Sequence, residues 1–201
     1  ANVSHEIRSP MNLVLGYTDL LLEGTQDEKT TKEYLQRIKN SGDHLLALLN
    51  DVLDLSKIEA GHLKIDKQRV PLINLINDCI FSLKTIAENR GNKITLKLDS
   101  DIPEWILSDV VRMRQILHNL LGNAVKFTSN GEIKIIMSFE GKRLRILIED
   151  SGIGIAQENH QSIFGAFSQA DSSITRSFGG TGLGLHLSLK LAEALDGSIR
   201  L

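Results

Sequence analysis

Between Thr31 and Ile58, apolar side chains recur at Leu35, Ile38, Leu45, Leu49 and Val52, flanked by Tyr34, Leu46, Leu48, Leu53 and Leu55. Spacings of three and four predict one long helix over 31–58. Its apolar band is wider than one neighbouring helix can cover, and that width constrains the fold more than any other feature. A preceding helix is predicted over 3–23, with Glu23-Gly24-Thr25-Gln26-Asp27 as exit and loop. Two antiparallel helices rarely bury enough surface to be stable alone. The expectation is a hairpin that pairs with a second copy as a four-helix bundle. Packing of the band against the rest of the same chain is the alternative.

The first helix carries apolar residues at Val3, Ile7, Met11, Val14 and Leu21. At ~100° per residue, His5 points roughly 160° away from them, and Ser9 and Asn12 share its outward side. Pro10 offers no N–H to the Glu6 carbonyl and crowds it, at a cost of ~3 kcal/mol. A helix-breaking residue one turn beyond an exposed His-Glu pair marks a place to look for chemistry. For a histidine considered alone, surface decoration is the competing reading.

Composition narrows the class. The 201 residues are 41% hydrophobic and 24% charged, ordinary for a globular protein with real cores. A net charge of -2 and 4% aromatics argue against nucleic acid and anionic membranes as partners. The one cysteine, Cys79, forms no internal disulfide and reads as a small core residue. No apolar run approaches the ~18 residues of a membrane span, and no signal peptide is evident. The Asn2-Val3-Ser4 sequon reads as chance, and the expected compartment is the cytoplasm.

Gly61, the polar Asp66-Lys67-Gln68-Arg69 and Pro71 mark a boundary, giving a helical domain over 1–62 and a second domain over 63–201. There the patterns predict a strand at 63–66, a helix at 72–89 and a strand at 94–98. A helix at 109–127 follows, then a hairpin of 131–139 and 143–149 joined at Gly141-Lys142. The segment 156–178 is polar and aperiodic, and a last helix covers 184–195. The fold class is α+β: the hairpin, then an α/β sandwich with one mixed sheet and helices on one face.

The 109–127 helix is unusual. Arg112, Gln115, Asn119, Asn123 and Lys126 fall within a band of roughly 80°, among almost wholly apolar neighbours. Asparagine is a poor helix-interior residue, because its amide competes for backbone hydrogen bonds. Amide oxygens suit a hard cation such as Mg²⁺, and the lysine suits phosphate. A merely solvated face would more often use Glu and Lys. Two glycine turns accompany this band. Asp150-Ser151-Gly152-Ile153-Gly154 sets a carboxylate at a strand end beside backbone that a ligand can approach. Gly179-Gly180-Thr181-Gly182-Leu183-Gly184 opens a helix, whose N–H groups favour phosphate. Neither fits a P-loop or a dinucleotide fingerprint.

Together these stretches resemble the sensor histidine kinases of two-component signalling, especially the hybrid type. SHEIRSPMN is similar to the phosphoacceptor box and RQILHNLLGNAVKFT to the Asn box. DSGIGI and GGTGLGL are similar to the two Gly boxes, and IFGAFSQAD to the Phe box between them. All occur in family order. The resemblance implies that His5 accepts the γ-phosphoryl of ATP while Glu6 takes a proton from its other ring nitrogen. It implies Mg²⁺ on Asn119 and Asn123, and charge from Lys126 beside Phe127. Asp150 would bind the adenine amino group, next to Gly152, Gly154 and Ile155. Phe164 and Phe167 would anchor an ATP lid carrying Arg176, with Gly180, Thr181, Gly182, Leu183 and Gly184 around the phosphates.

Further implied are a homodimer through residues 1–62, onward transfer to an aspartate of a receiver domain in cis or in trans, and an ATP-binding fold shared with gyrase-type ATPases. The chain would then be an excerpt, and its sensor a membrane-anchored one. Two departures bear on activity. Ser9 stands where phosphatase-competent members carry Thr or Asn. Asn119 stands where the ATPases carry a water-activating Glu, so steady hydrolysis should be weak. A nucleotide-gated binding module is the remaining alternative. His44, His62, His118, His160 and His186 show no metal-ligand spacing and read as surface or boundary residues.

Overall fold

A computed structural model describes residues 2–166 and 182–201. The first helix, α1 (Asn2–Leu22), runs unbroken through Pro10, and α2 (Glu28–Glu59) returns beside it. Asp27 caps α2, accepting from the Thr30 amide at 2.8 Å, and that bond holds its carboxyl below the usual carboxylate range. The cap explains why the helix starts three residues before the predicted Thr31. At the other end, Gly61 adopts φ +69°, and the His62 and Leu63 amides fold back on the Lys57 carbonyl. Tyr17 and Tyr34 stack across the hairpin with centroids 5.0 Å apart, which fixes the helix register.

The expected strand at 63–66 does not form. The extended chain is instead pinned where the Asp66 amide donates to Asp109 Oδ2 at 3.0 Å. The strand comes later, as β1 (Gln68–Pro71), and pairs antiparallel with β3 (Trp105–Ser108), a strand not predicted. Only Val70 of β1 is buried, so no alternation betrays it. The expected single sheet is therefore two: this ribbon, and a three-stranded mixed sheet. In the latter β2 (Lys93–Leu98) runs parallel to β4 (Glu132–Glu140), which pairs antiparallel with β5 (Arg143–Asp150). Glu140 opposite Arg143 leaves Gly141-Lys142 as the predicted two-residue turn.

Helices α3 (Leu72–Asn89) and α4 (Val110–Phe127) cover the sheet. Leu75, Ile76 and Cys79 pack with Leu117, Leu121 and Val125 against Ile133, Ile135 and Met137 of β4. Cys79 is in the core as expected, and burial pushes its thiol up. Two 3₁₀ turns (Gln157–Asn159, Ser162–Phe164) precede the last helix, α5 (Gly184–Ala194).

The α2 band divides. Leu48 is 1% exposed, packed where α2 meets α5 and α4, whereas Leu35, Leu46, Leu49 and Leu53 stay exposed beside Met11, Leu13 and Leu15 of α1. The same chain thus covers part of the band and leaves the rest open. Among the described residues, no helix is long and apolar enough to cross a membrane.

Candidate functional site

Asp109 is buried at the N-cap of α4, accepting from the amides of Val111 and Arg112 at 3.0 and 3.1 Å through one oxygen and from Asp66 through the other. That anchor sets the rotation of α4, and the polar band then splits in two. Arg112 and Gln115 turn toward α2, where both reach Asp54 Oδ2, at 2.6 and 3.1 Å. Asn119, Asn123 and Lys126 continue along the helix into a cleft of about 820 Å³.

From α4 the cleft also takes Phe127. From the end of β5 and the turn after it, the cleft takes Asp150, Gly154 and Ile155, and across from them Phe164, Gly182 and Gly184. Apolar side chains such as Ile116, Leu120 and Ile148 complete much of the wall. Residues from four separate stretches of sequence therefore line one cleft.

Local bonds set each group. Asn119 Nδ2 donates to Ser188 Oγ of α5 at 2.8 Å, with its Oδ1 toward Gly184. That oxygen lies where a side chain at Gly184 would have to go, so glycine there lets α5 start hard against Asn119. Lys126 Nζ sits 4.8 Å from the Phe127 ring centre, and burial pulls its ammonium below the ordinary lysine range. Asp150 Oδ1 accepts from the Gly152 amide at 2.9 Å and from Thr128 Oγ1 at 3.5 Å. A Cβ at Gly152 would lie 2.5 Å from the Phe127 carbonyl oxygen, so the first glycine turn is seated directly on the end of α4. Gly154 (φ +69°) and Gly182 (φ +66°) use backbone that other residues rarely adopt.

Leu183, at 1% exposure, has its side chain in the core, where it holds the start of α5 down. Phe167, Arg176, Gly180 and Thr181 lie outside the described residues. On α1, Glu6 is half-buried and Ser9 exposed, while Pro10 is buried. Position 5 lies in the first turns of the same helix. Equal numbers of residues separate Tyr17 from position 5 and Tyr34 from position 46, so the backbone of position 5 is level with the middle of α2.

That part of α2 is what sequence reasoning missed. His44, Ala47, Leu48 and Asp51 line the same cleft as Asn119 and Lys126. Their spacing shows only that they share one helix face, and nothing in it says what the face meets. Two other histidines are pins. His186 Nδ1 bonds the Phe164 carbonyl at 2.8 Å and His160 Nε2 the Ile155 carbonyl at 3.0 Å, tying down the stretch from Ile155 to Phe164.

The donor chemistry is selective. Among the described residues, no group of three or more His, Cys, Asp or Glu side chains could hold a metal ion. A cation in this cleft would rely on amide oxygens together with oxygens of a ligand, which suits a hard ion carried in by phosphate. A carboxylate at the far end suits an exocyclic amine.

Known proteins match the whole chain. Residues 1–61 match the His kinase A (phospho-acceptor) domain, and residues 108–201 the histidine kinase-, DNA gyrase B-, and HSP90-like ATPase family. The signal transduction histidine-protein kinase BarA of Escherichia coli (strain K12) is 41% identical over 204 residues, covering 99% of this chain and 22% of its own. The chain thus spans about a fifth of the length of such curated relatives. Full-length ShkA in complex with AMPPNP superposes with TM-score 0.73 at 36% identity, over 96% of this chain and 40% of that one. Histidine kinase ThkA, solved in complex with response regulator protein TrrA, gives TM-score 0.66 at 25% identity over 97% and 54%.

Proposed function

This chain belongs to the sensor histidine kinases of two-component signalling, and we propose that it uses ATP to phosphorylate His5 and passes the phosphoryl group to an aspartate of a receiver domain. One observation carries the reading. A single cleft gathers Asn119, Asn123, Lys126, Asp150 and the start of α5, and it is closed on one side by the stretch of α2 level with position 5.

In this reading Asp150 accepts the adenine amino group, and Gly152 and Gly154 let the base approach. Lys126 and the amides preceding α5 face the phosphates. Asn119 and Asn123 would hold Mg²⁺ through their amide oxygens, an ion that neutralises phosphate charge when bound. Phe164 would anchor the near end of a segment over the nucleotide, and the roles expected of Phe167, Arg176, Gly180 and Thr181 fall outside the described residues. A ring nitrogen of His5 attacks the γ-phosphorus as the bond to the bridging oxygen breaks, so ADP leaves with both electrons. Glu6 accepts the proton from the other ring nitrogen. Such transfers depend chiefly on positioning and charge neutralisation. The P–N bond so formed is labile, which suits onward transfer. Ser9, one turn beyond position 5 on α1, keeps a hydroxyl where phosphatase-competent relatives carry Thr or Asn.

The division into a phosphoacceptor hairpin, 1–62, and a catalytic domain, 63–201, follows the same reading. So does a homodimer, because Leu35, Leu46, Leu49 and Leu53 remain open on the hairpin. The partner is a response-regulator receiver, and the setting is the cytoplasmic side of a sensor.

The test is incubation with γ-labelled ATP. Acid-labile, base-stable label on the wild-type chain that is absent from His5→Gln supports the assignment. Label of the same stability in His5→Gln refutes it.

A further inference from the structure

The nucleotide cleft has a back wall, and its hydrogen bonds come from two turns far apart in sequence. The C-terminal carbonyls of α4 have no helical partners of their own. Here they are met by side chains from the turn between α3 and β2. Arg90 donates to the Lys126 carbonyl at 2.8 Å and to the Thr128 carbonyl at 3.2 Å. Asn92, only 6% exposed, donates through Nδ2 to the Thr128 carbonyl at 2.8 Å and to the Val125 carbonyl at 3.3 Å. Its Oδ1 accepts from the Gly131 amide at 3.2 Å. The backbones join as well: Asn130 donates to the Arg90 carbonyl and Lys93 to the Gly131 carbonyl, both at 2.9 Å.

From this clamp the connections run straight to the site. Thr128, 0% exposed, offers its hydroxyl to Asp150 Oδ1. Ser151, the next residue, is held to Glu132 at both ends: its hydroxyl accepts from the Glu132 amide at 2.9 Å, and its own amide donates to the Glu132 carbonyl at 3.1 Å. Gly131 has no room for a side chain because Thr128 and Ser151 close over it. Both described hydrogen bonds to the Asp150 carboxylate fall on Oδ1, so the direction of Oδ2 is set by where Thr128 and the Ser151–Gly152 backbone stand.

We propose that Asn92, assisted by Arg90, is a positioning residue for base selection: it holds the end of α4 and the 128–131 turn so that Asp150 Oδ2 meets an exocyclic amine of the bound purine. The inference rests on the assignment of Asp150 to the adenine amino group. Asn92 itself touches no nucleotide. Arg90 shares the Thr128 carbonyl, but the Asn92 amide alone both donates to the Val125 and Thr128 carbonyls and accepts from the Gly131 amide.

The experiment compares binding of ATP and inosine triphosphate, which carries a carbonyl in place of the amino group. A carboxylate–amine hydrogen bond corresponds to about tenfold or more in affinity. Wild type should prefer ATP by that order, and Asp150→Asn should lose the preference. Asn92→Asp, which keeps the shape and Oδ1 but loses the donors, should weaken ATP binding about tenfold and leave inosine triphosphate nearly unchanged. Arg90→Ala, with Asn92 intact, should show the same effect more weakly and serves if the Asn92 variant fails to fold. If Asp150→Asn removes the preference while the Asn92 and Arg90 variants keep it, the positioning role is overturned and the site assignment stands. If Asp150→Asn itself keeps the preference, the assignment beneath it fails. Equal loss for both nucleotides in the Asn92 and Arg90 variants would mark a merely structural clamp and overturn the proposal.

Discussion

The Asp54 carboxylate of α2 and the Arg112 guanidinium of α4 meet at 2.6 Å, with side chains only 14% and 18% exposed. Gln115 joins both, donating to the same Asp54 oxygen and accepting from Arg112 at 3.0 Å. This shielded triad fastens the domain over 63–201 to the hairpin on the α2 side, whereas position 5 lies on α1. If His5 is the phosphoacceptor as proposed, transfer within one chain requires that domain to leave this contact or slide along it.

Asp54→Asn keeps the shape and removes the charge. Loss of a charged hydrogen bond in a shielded setting weakens docking by about 2 kcal/mol. Hydrogen exchange should quicken along the middle of α2 and the first turns of α4, and the initial autophosphorylation rate should rise several-fold at saturating ATP. Unaltered exchange would show that Leu48 and its neighbours hold the contact without the pair.

Asp51 predicts the opposite sign. Desolvation first, then the Asp54 charge, raises its carboxyl above the usual range, with Gln115 acting weakly against them. A carboxyl raised by folding binds more protons folded than unfolded, so stability is lost as pH rises through the raised value. At neutral pH Asp51 is a liability, and Asp51→Asn should raise the melting midpoint. Below the ordinary carboxylate range the gain should vanish. A gain that persists in acid would point to something other than charge.

Two glycines separate folding from chemistry. A methyl at Gly152 meets the Phe127 carbonyl, which is backbone at a helix end and cannot step aside. Gly152→Ala should cost about 1–3 kcal/mol and lose ATP binding with it. A methyl at Gly184 meets only the Asn119 amide, which can rotate, and alanine favours the helix by about 1 kcal/mol. Gly184→Ala should melt near wild type yet phosphorylate poorly, since Asn119 is displaced. Equal melting of both variants would remove the distinction.

These contrasts show what the sequence could and could not carry. Asp150, Gly152 and Gly154 were legible because their chemistry sits within one turn of chain, and Asn119, Asn123 and Lys126 because helical period aligns them. The same period grouped Arg112 and Gln115 with them, yet those two serve α2. Period gives a face and not its neighbour. Val70 alone could not announce β1, and Asn92 reads as an ordinary turn residue. Its partners at Val125, Thr128 and Gly131 are 33 to 39 residues away. Long-range hydrogen bonds between irregular segments leave no periodicity.

Lys126 supplies a pH test of the cleft. Burial lowers its ammonium, so the apo protein bears the full cost of that charge below the depressed value. Between that value and the ordinary lysine range the unfolded chain binds more protons, and stability rises with pH. A bound phosphate favours the charged form and pulls the other way. ATP affinity should therefore fall as pH rises through the depressed value, at lower pH than a free lysine would dictate. In Lys126→Met, affinity at neutral pH should be about tenfold lower and its alkaline decline should disappear, while the apo protein melts higher. Calorimetric titration across the alkaline range in two buffers of different ionisation heat would register the coupled proton uptake. A decline that survives the substitution would assign it to another group in the cleft.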